Sequence, residues 1–508
     1  MSSSGIDMKE SRKEAVEEKQ TEKNRLRDLI KAVQEFPELA AAQLNTPAIT
    51  GHLAKYISES QFAAIPEDTR ELAKRHILDT FVSMVVSSQL KPARFARDFA
   101  LFNGGQADTA HLLTTNHTTT LLDAIFANAI TAHAAEINDF CPSAFVQPGP
   151  PIVSTVFAIG ETIGASGEEM LRAVVTGYEI ACRFPKALGI RNLQTAGLSS
   201  HGVGPTFGSG VAAASLLKIS ESAIGYVLAY CVQQASGSFN WLRDKEHMEK
   251  AFLFAGMPAR NGATAALMVH HGFTGVKDPF QGTPNWLLNS MFIGLDSDLD
   301  LHKLIHNLGV EFQLPLVAYK RYPVGGPTQA SVEGLMQLIQ KIDRQSIIKI
   351  DIKMPGNVKA FSEADMPALN LPYLSAVILE DGDLSFDMAQ SEVRMSSESI
   401  REKMRFVTLT HDPSQEREPR VESALVEVVL KSGKRDQIFI EHVLGFPDHP
   451  MNHQDVEAKA RSLATPVLGR EQTEKLIEVI WNLENLPDIR AIIPLLIPPK
   501  REKKGGRD

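Results

Sequence analysis

Apolar residues recur at helical spacing through about the first 300 residues of the chain. The segment 71–88 (ELAKRHILDTFVSMVVSS) shows this spacing, and 121–133 (LLDAIFANAITAH) is apolar on all sides, which predicts a buried helix. Ser166, followed by Glu169 three residues later, is a helix-start signal. Before residue 300 we find no convincing alternation of apolar and polar positions, so this half is predicted to be all-helical.

The pattern changes after about residue 311, where segments typical of strands begin. Residues 346–354 (SIIKIDIKM) predict one strand, and 424–442 (ALVEVVLKSGKRDQIFIEH) predict two strands joined at Ser432-Gly433, which is a hairpin signal. A helical stretch lies between them at about 369–379, and helical spacing returns from 452. The sequence therefore predicts a mainly α-helical protein with a smaller α+β domain, whose last helices could pack back on the first domain.

These patterns divide the chain into five parts. We predict a charged N-terminal extension, a helical domain, an α+β domain, helices that return to the helical domain, and a polar tail: 1–45, 46–310, 311–446, 447–497 and 498–508. The extension has neither the apolar core of a secretory signal nor the low acid content of a mitochondrial presequence. We therefore expect a cytoplasmic protein, with a mitochondrial location left open.

Composition narrows the function classes. The formal net charge of -9 argues against nucleic-acid or membrane partners that bind through bulk charge. No uncharged apolar run reaches the ~18 residues of a membrane span. Cys141, Cys182 and Cys231 are widely spaced, so neither a disulfide framework nor a zinc site is indicated, and a reducing compartment is expected.

One histidine stands within a run of small residues. His201 lies in the stretch 197–217, which is rich in Gly, Ser, Thr and Ala. Small residues let helices approach closely, and glycine also lets the backbone come near a ligand. An imidazole can act as acid or base near neutral pH, so His201 is a candidate for proton transfer. A close helix–helix contact with an incidental histidine is the alternative.

Three further clusters carry candidate chemistry. Acidic Glu136 and Asp139 precede a Pro/Gly loop that contains Gln147, although helix capping would also explain the acids. Lys250 and Arg260 could hold carboxylates, or be ordinary surface charges. The third cluster spans 319–329 at the predicted domain junction, where small-molecule sites are common, and it is otherwise a linker. Its candidates are Lys320, Tyr322 and Gln329.

Several cofactor motifs are missing from the sequence. There is no phosphate-binding Gly-rich loop, no convincing dinucleotide fingerprint after a strand, no His-Glu-x-x-His motif and no iron–sulfur cysteine spacing. We therefore expect proton-transfer chemistry without a cofactor or a metal.

Five motifs occur together: HAAEIND at 133–139, SHG at 200–202, PARNG at 258–262, HHGFTG at 270–275 and KRYP at 320–323. In this combination the chain resembles the MmgE/PrpD family of 2-methylcitrate dehydratases and cis-aconitate decarboxylases, from about residue 46 to 495. The resemblance implies an α+β lid domain inserted into a large helical domain, with the active site between them. It also implies a homodimer without metal that acts on citrate-like tricarboxylates.

The resemblance and the clusters together give a candidate site. Catalytic roles are expected for His201, Lys320, Asp139 and Glu136. Substrate contacts are expected from Lys250, Arg260, Tyr322, Gln329 and Gln147. The resemblance implies a lyase that dehydrates 2-methylcitrate or a longer alkylcitrate by general acid–base catalysis.

Two departures from the family pattern affect this expectation. Gln147 stands where many members have a histidine, so His201 would carry more of the proton transfer. Gln329 stands where decarboxylase-like members have a histidine, which favours dehydration. Two alternatives stay open: a cis-aconitate-type decarboxylase, and a catalytically inactive dimeric binding protein of the same fold.

Overall fold

The computed structural model describes residues 49–280, 300–417 and 422–499. The predicted N-terminal extension and all but the first two residues of the predicted polar tail lie outside these ranges. Within them, none of the helices combines the length and apolar character needed to cross a bilayer.

Helices dominate residues 49–280 and 300–305. Ser166 caps one of them and Glu169 completes the capping box, as the sequence predicts. The helices are α1 (Ile49–Ser60), α2 (Glu67–Ser87), α3 (Lys91–Gly104), α4 (Leu121–His133), α5 (Gly149–Ile163), α6 (Gly167–Leu188), α7 (Ile190–Thr195), α8 (Ser200–Leu216), α9 (Glu221–Gln234), α10 (Met248–Ala251), α11 (Met257–His270) and α12 (His302–Ile305).

A small antiparallel ribbon interrupts these helices. Strands β1 (Ala110–Leu112) and β2 (His117–Thr119) pair between α3 and α4. The expectation that this half is all-helical is therefore wrong in this detail. Each strand has 3 residues, which is too short for an alternating pattern to stand out.

The later part of the chain forms a four-stranded sheet with helices. Its strands are β3 (Ile347–Met354), β4 (Val407–His411), β5 (Ala424–Leu430) and β6 (Arg435–Ile440), in the order β4-β3-β5-β6. Only the β3–β4 pair is parallel. The three predicted strands are confirmed. The helices are α13 (Gln329–Leu338), α14 (Lys359–Ser362), α15 (Leu371–Asp381), α16 (Phe386–Ala389), α17 (Glu392–Met395) and α18 (Glu398–Met404).

The last helices are α19 (His453–Leu468), α20 (Arg470–Trp481) and α21 (Ile493–Leu496), and the first two pack against α2. The buried apolar residues accordingly form two main cores. The first core draws on 49–319 and again on 451–496, whereas the second core draws on 318–446. We call residues 318–446 the α+β unit. The chain thus leaves the helical core once and returns to it.

The small residues of α8 serve helix packing. A Cβ added at Gly208 would lie 2.7 Å from the carbonyl oxygen of Gly177 and from the Cβ of Ala181, both in α6. Such a distance is too short for two non-bonded atoms, so the close contact between α8 and α6 requires glycine there. His201, at the start of α8, is the residue of this helix that reaches an open cavity.

Candidate active site

A cavity of about 560 Å³ lies between the helical core and the α+β unit. This volume is within the range typical of small-molecule sites. The helical side supplies charged and aromatic walls, and the α+β unit supplies Lys359, Phe361, Met366 and Leu369. Six of the polar side chains that line it are Glu136, Gln147, His201, His247, Lys250 and Lys320.

Glu136 is the acid on which this site is built. It follows the end of α4, where its backbone N–H donates to the carbonyl oxygen of His133 at 2.9 Å. Its φ of 60° lies in the left-handed region, which non-glycine residues seldom occupy. The side chain is buried, and it lines the cavity. Glu136 therefore combines an uncommon backbone conformation with a buried side chain that lines the cavity.

Two lysines neutralise Glu136. The ammonium group of Lys250 contacts Oε1, and that of Lys320 lies 3.2 Å from Oε2 while also donating to the Glu136 carbonyl oxygen at 2.7 Å. Burial alone would raise the pKa of Glu136, but the two ammonium groups hold that pKa well below its usual range. Burial lowers the pKa of Lys320. The acid is therefore a carboxylate, and Lys320 is a stronger acid than an exposed lysine.

Neutral groups complete the environment of this carboxylate. His247 Nε2 lies 2.8 Å from Oε1, and the amide of Gln147 donates to Oε2 at 3.2 Å. Gln147 in turn accepts from the side-chain amide of Asn138 at 2.8 Å. Gln147 therefore contacts both the carboxylate and its supporting loop, which suits an orienting role.

His201 lies on an aromatic wall of the same cavity. Its ring stacks on Phe254 with centroids 3.6 Å apart, and Phe145 and Trp241 lie at 4.9 and 5.9 Å. Its Nδ1 is buried without a hydrogen-bond partner among the described residues. Burial lowers the pKa of His201 well below its ordinary value, and the charge of Lys250 lowers it further. The ring is therefore a neutral imidazole at pH 7.

A π-helical turn shapes this wall. The segment Phe252–Gly256 joins α10 to α11 and contains the extra residue per turn that defines a π-helix. It carries Phe254 beneath His201, and the ammonium group of Lys250 lies 5.1 Å from the centre of the Phe254 ring. The turn therefore brings the ionic wall and the aromatic wall of the cavity into contact.

Asp139 lies behind the cavity rather than in it. One carboxylate oxygen accepts from the backbone N–H of Gly149 at 3.0 Å. The other accepts from the hydroxyl of Tyr178 at 2.7 Å and lies 2.9 Å from Nδ1 of His76. Of the four residues predicted to be catalytic, the structure brings Glu136, His201 and Lys320 together and places Asp139 at the start of α5.

Three of the predicted substrate contacts are not brought to the cavity. The side chain of Gln329 is engaged by its own loop, since it accepts from the N–H of Tyr322 and donates to the carbonyl oxygens of Tyr322 and Val324. Tyr322 packs against the core of the α+β unit. The guanidinium of Arg260 lies 5.2 Å from the centre of the Phe126 ring. Lys250 and Gln147 do line the cavity.

His247 is the site residue that the sequence interpretation missed. It is buried, and it has a φ of 63° within the charged stretch DKEHMEK at 244–250. Such a stretch is typical of an exposed loop. The available signal was its spacing, three residues before Lys250 and preceded by Trp241.

Three donor groups at the site could in principle hold a metal. The ligand atoms of His133, Glu136 and His247 all lie within 4.8 Å of one another. Two imidazoles and a carboxylate are a donor set that divalent transition metals use. However, the ammonium groups of Lys250 and Lys320 contact the same carboxylate and would repel a cation. The arrangement therefore suits ammonium partners better than a metal.

Comparison with known proteins agrees with this architecture. The model of the MmgE/PrpD N-terminal domain matches residues 51–297, and that of the MmgE/PrpD C-terminal domain matches residues 322–485. The chain belongs to the MmgE/PrpD family.

Three curated relatives span most of the chain at low identity. The Cis-aconitate decarboxylase-like protein oryM of Aspergillus oryzae is 23% identical over 88% of this chain and 97% of its own length. The Cis-aconitate decarboxylase of Homo sapiens is 24% identical over 74% of this chain and 79% of its own. The Cis-aconitate decarboxylase of Mus musculus is 22% identical over 76% of this chain and 80% of its own length. The family therefore includes lyases.

Proposed function

We propose that the protein is a lyase that acts on a citrate- or cis-aconitate-type tricarboxylate in this cavity. The observation that carries the proposal is that a neutral imidazole and two ammonium groups line one cavity. His201 supplies the imidazole, and Lys250 and Lys320 supply the ammonium groups.

The two lysines are suited to bind substrate carboxylates. An ammonium group has three N–H donors, and Lys320 uses two of them on Glu136. The remaining donors can be offered to a carboxylate that enters the cavity. The apolar residues Leu242, Phe361, Met366 and Leu369 would receive an alkyl substituent, as in 2-methylcitrate or a longer alkylcitrate. Burial of each added CH₂ at about 0.8 kcal/mol would raise kcat/KM about fourfold.

The geometry supports dehydration best. The neutral His201 takes the proton on the carbon next to a carboxylate, and the C–H electron pair forms the new double bond. The β-hydroxyl leaves as water after receiving a proton from the Lys320 ammonium group. Dehydration needs both a base and an acid, and the cavity offers the neutral His201 imidazole and the Lys320 ammonium group that is paired with Glu136.

Decarboxylation is the second candidate, and the names of the three relatives favour it. In that reaction the bond to the allylic carboxylate breaks and carbon dioxide leaves. Its electron pair forms a new double bond, and the former double bond takes a proton from Lys320. The sequence-based preference for dehydration rests on Gln329, but this side chain does not line the cavity, because it is hydrogen-bonded to its own loop.

Both reactions use only protons that side chains can supply, so the proposal includes no cofactor or metal. We also propose a homodimer and a cytoplasmic location. The mass of the purified protein in solution, and fractionation of the source cells, test these two points.

The decisive experiment is product analysis. Purified protein is incubated separately with citrate, 2-methylcitrate and cis-aconitate, and products are identified by NMR together with carbon dioxide release. Water loss supports dehydration, and carbon dioxide release supports the second candidate. If neither occurs while calorimetry shows tricarboxylate binding, the protein is the catalytically inactive relative instead.

The role of His201 is tested by His201→Ala. Loss of general acid–base help should lower kcat by about 10²–10⁴-fold. The matched control is His270→Ala, which removes an exposed histidine at the end of α11 and should leave kcat unchanged. Full activity in the His201 variant would overturn the assignment.

A further inference from the structure

A second buried lysine supports the loop of Glu136 from behind the cavity. Lys459, in α19, donates to the carbonyl oxygen of Ile137 at 2.9 Å and to the carboxylate of Asp79 at 2.5 Å. Its side chain is only 7% exposed and that of Asp79 only 1%. Neither residue lines the cavity.

Two consecutive carbonyl groups are therefore held by lysines from different parts of the fold. Lys320 binds the carbonyl oxygen of Glu136 from the cavity side, and Lys459 binds that of Ile137 from the helical core. Between them Glu136 keeps its left-handed φ of 60°. A sparsely populated backbone conformation persists only where surrounding contacts determine it, and these two bonds hold the two peptide groups that follow Glu136.

The chemistry of the Asp79–Lys459 pair also points to a role beyond stability. Burial raises the pKa of Asp79, and the Lys459 charge opposes this shift. A buried ion pair is often no more stabilising than two apolar side chains of similar size. An apolar pair at these positions would pack α2 against α19, but it would leave the Ile137 carbonyl without its donor.

We propose that Lys459, held in place by Asp79, is a positioning residue for the active site. It fixes the backbone at Ile137 and, through it, the direction of the Glu136 carboxylate and the lysines paired with it. The inference rests on the proposed lyase function. It means that the last helices of the chain take part in building the site as well as the core.

The test is a double variant, Asp79→Leu with Lys459→Met. Because the apolar pair removes both buried charges together, the variant should stay folded, with only the Ile137 carbonyl left without its donor. A misplacement of about 1 Å can cost about 10²-fold in rate, so kcat should fall about 10–100-fold with KM changed less than about threefold. Wild-type kcat in the stable double variant would overturn the proposal. Asp79→Asn with Lys459→Met is the alternative pair if the first does not fold.

Lys74→Met provides a matched control. Lys74 is equally buried, and it also joins α2 to the C-terminal segment by donating to a backbone carbonyl, that of Trp481, at 2.9 Å. It is paired with Glu71 and Glu484, and none of its hydrogen bonds or ion pairs within the described residues reaches the loop of Glu136. Its loss should lower stability and leave kcat unchanged. An equal loss of kcat in this variant would show a general packing effect and contradict the proposal.

A structural readout separates this inference from the lyase proposal. Crystal structures of the wild type and the double variant give the φ of Glu136 without any substrate. If the wild type does not turn over tricarboxylates, the lyase proposal fails, and a changed φ in the variant still supports positioning by Lys459. An unchanged φ together with unchanged cavity geometry contradicts it.

Discussion

Glu136 and Asp139 are three residues apart in one motif and both are buried, but they have different kinds of partners and only Glu136 lines the cavity. Glu136 faces a cavity and is contacted by two ammonium groups. Asp139 does not line this cavity and is held by a tyrosine hydroxyl, a backbone N–H and a histidine ring. Glu136, with its charged partners beside an open cavity, is placed where a ligand can reach it. Asp139 is enclosed by hydrogen-bond donors and therefore stabilises the fold.

The surroundings of Asp139 show what it does for the fold. It accepts from the first residue of α5, Gly149, where the helix dipole favours a negative charge. A Cβ at Gly149 would lie 2.5 Å from Oδ1 of Asp139 and 2.7 Å from Oγ1 of Thr80, so only glycine fits there. Asp139 thus fixes the start of α5 against α2 and α6.

The largest effect is expected from Glu136→Gln. An uncharged amide leaves Lys250 and Lys320 without their counter-charge and removes a preorganised charge from the site. We expect kcat/KM to fall by about 10²–10³-fold, as for the loss of other preorganised electrostatic groups. Steady-state kinetics measure it, with Glu136→Asp as the variant that keeps the charge. If the Gln variant kept more than half of the wild-type activity, the claim that Glu136, unlike Asp139, acts in the site would be wrong.

Asp139→Asn should instead affect stability. The new NH₂ group faces donors, so at least one buried hydrogen bond is lost, at a cost of about 1–3 kcal/mol. We expect kcat to stay within about threefold, because the side chain does not reach the cavity. Guanidinium denaturation and steady-state kinetics on the same preparation check both points. A loss of kcat as large as that of Glu136→Gln would place Asp139 in the reaction.

The site histidines make stability depend on pH. Burial lowers the pKa of His133 from 6.5 to about 3, so between these values the unfolded chain binds a proton that the folded protein does not. The free energy of unfolding should therefore fall as the pH is lowered through this window, by up to about 1.4 kcal/mol per pH unit for one histidine. Denaturation curves at pH 7, 6, 5 and 4 test the slope, and His133→Phe should reduce it.

The smallest effect is expected at Arg260. Its guanidinium lies over Phe126 and outside the cavity. Arg260→Met keeps an apolar side chain there and loses a cation–π contact worth about 0.5–1 kcal/mol. We expect kcat/KM within about twofold of the wild type and a slightly lower melting temperature. A rise in KM of tenfold or more would instead support the sequence-based expectation that Arg260 contacts the substrate.

Local patterns in the sequence predicted much of the fold. Alternation identified β3, β5 and β6, and the Ser166 capping box marked the start of α6. The β1–β2 ribbon was missed because its strands are too short to show a period. The division into two cores could be predicted from the change from helical to strand-like spacing near residue 311 and the return of helical spacing near residue 452.

The site was harder to predict, because tertiary contacts decide which polar residues face the cavity. Residue type nominated Glu136, His201 and Lys320, and the fold brings them together from distant parts of the chain. The same reasoning nominated Gln329, whose amide is used by its own loop. It passed over His247, because the charged stretch around this histidine is typical of an exposed loop and its spacing from Lys250 was not used.

The return of the chain to its first core sets the order of events during synthesis. The residues of the α+β unit are contiguous, so this unit can finish folding while the ribosome is still adding α19 and α20. The helical core is completed only when α19 and α20 have been synthesised, and Lys459 is part of α19. The support of the Ile137 backbone by Lys459 can therefore form only after α19 has been translated.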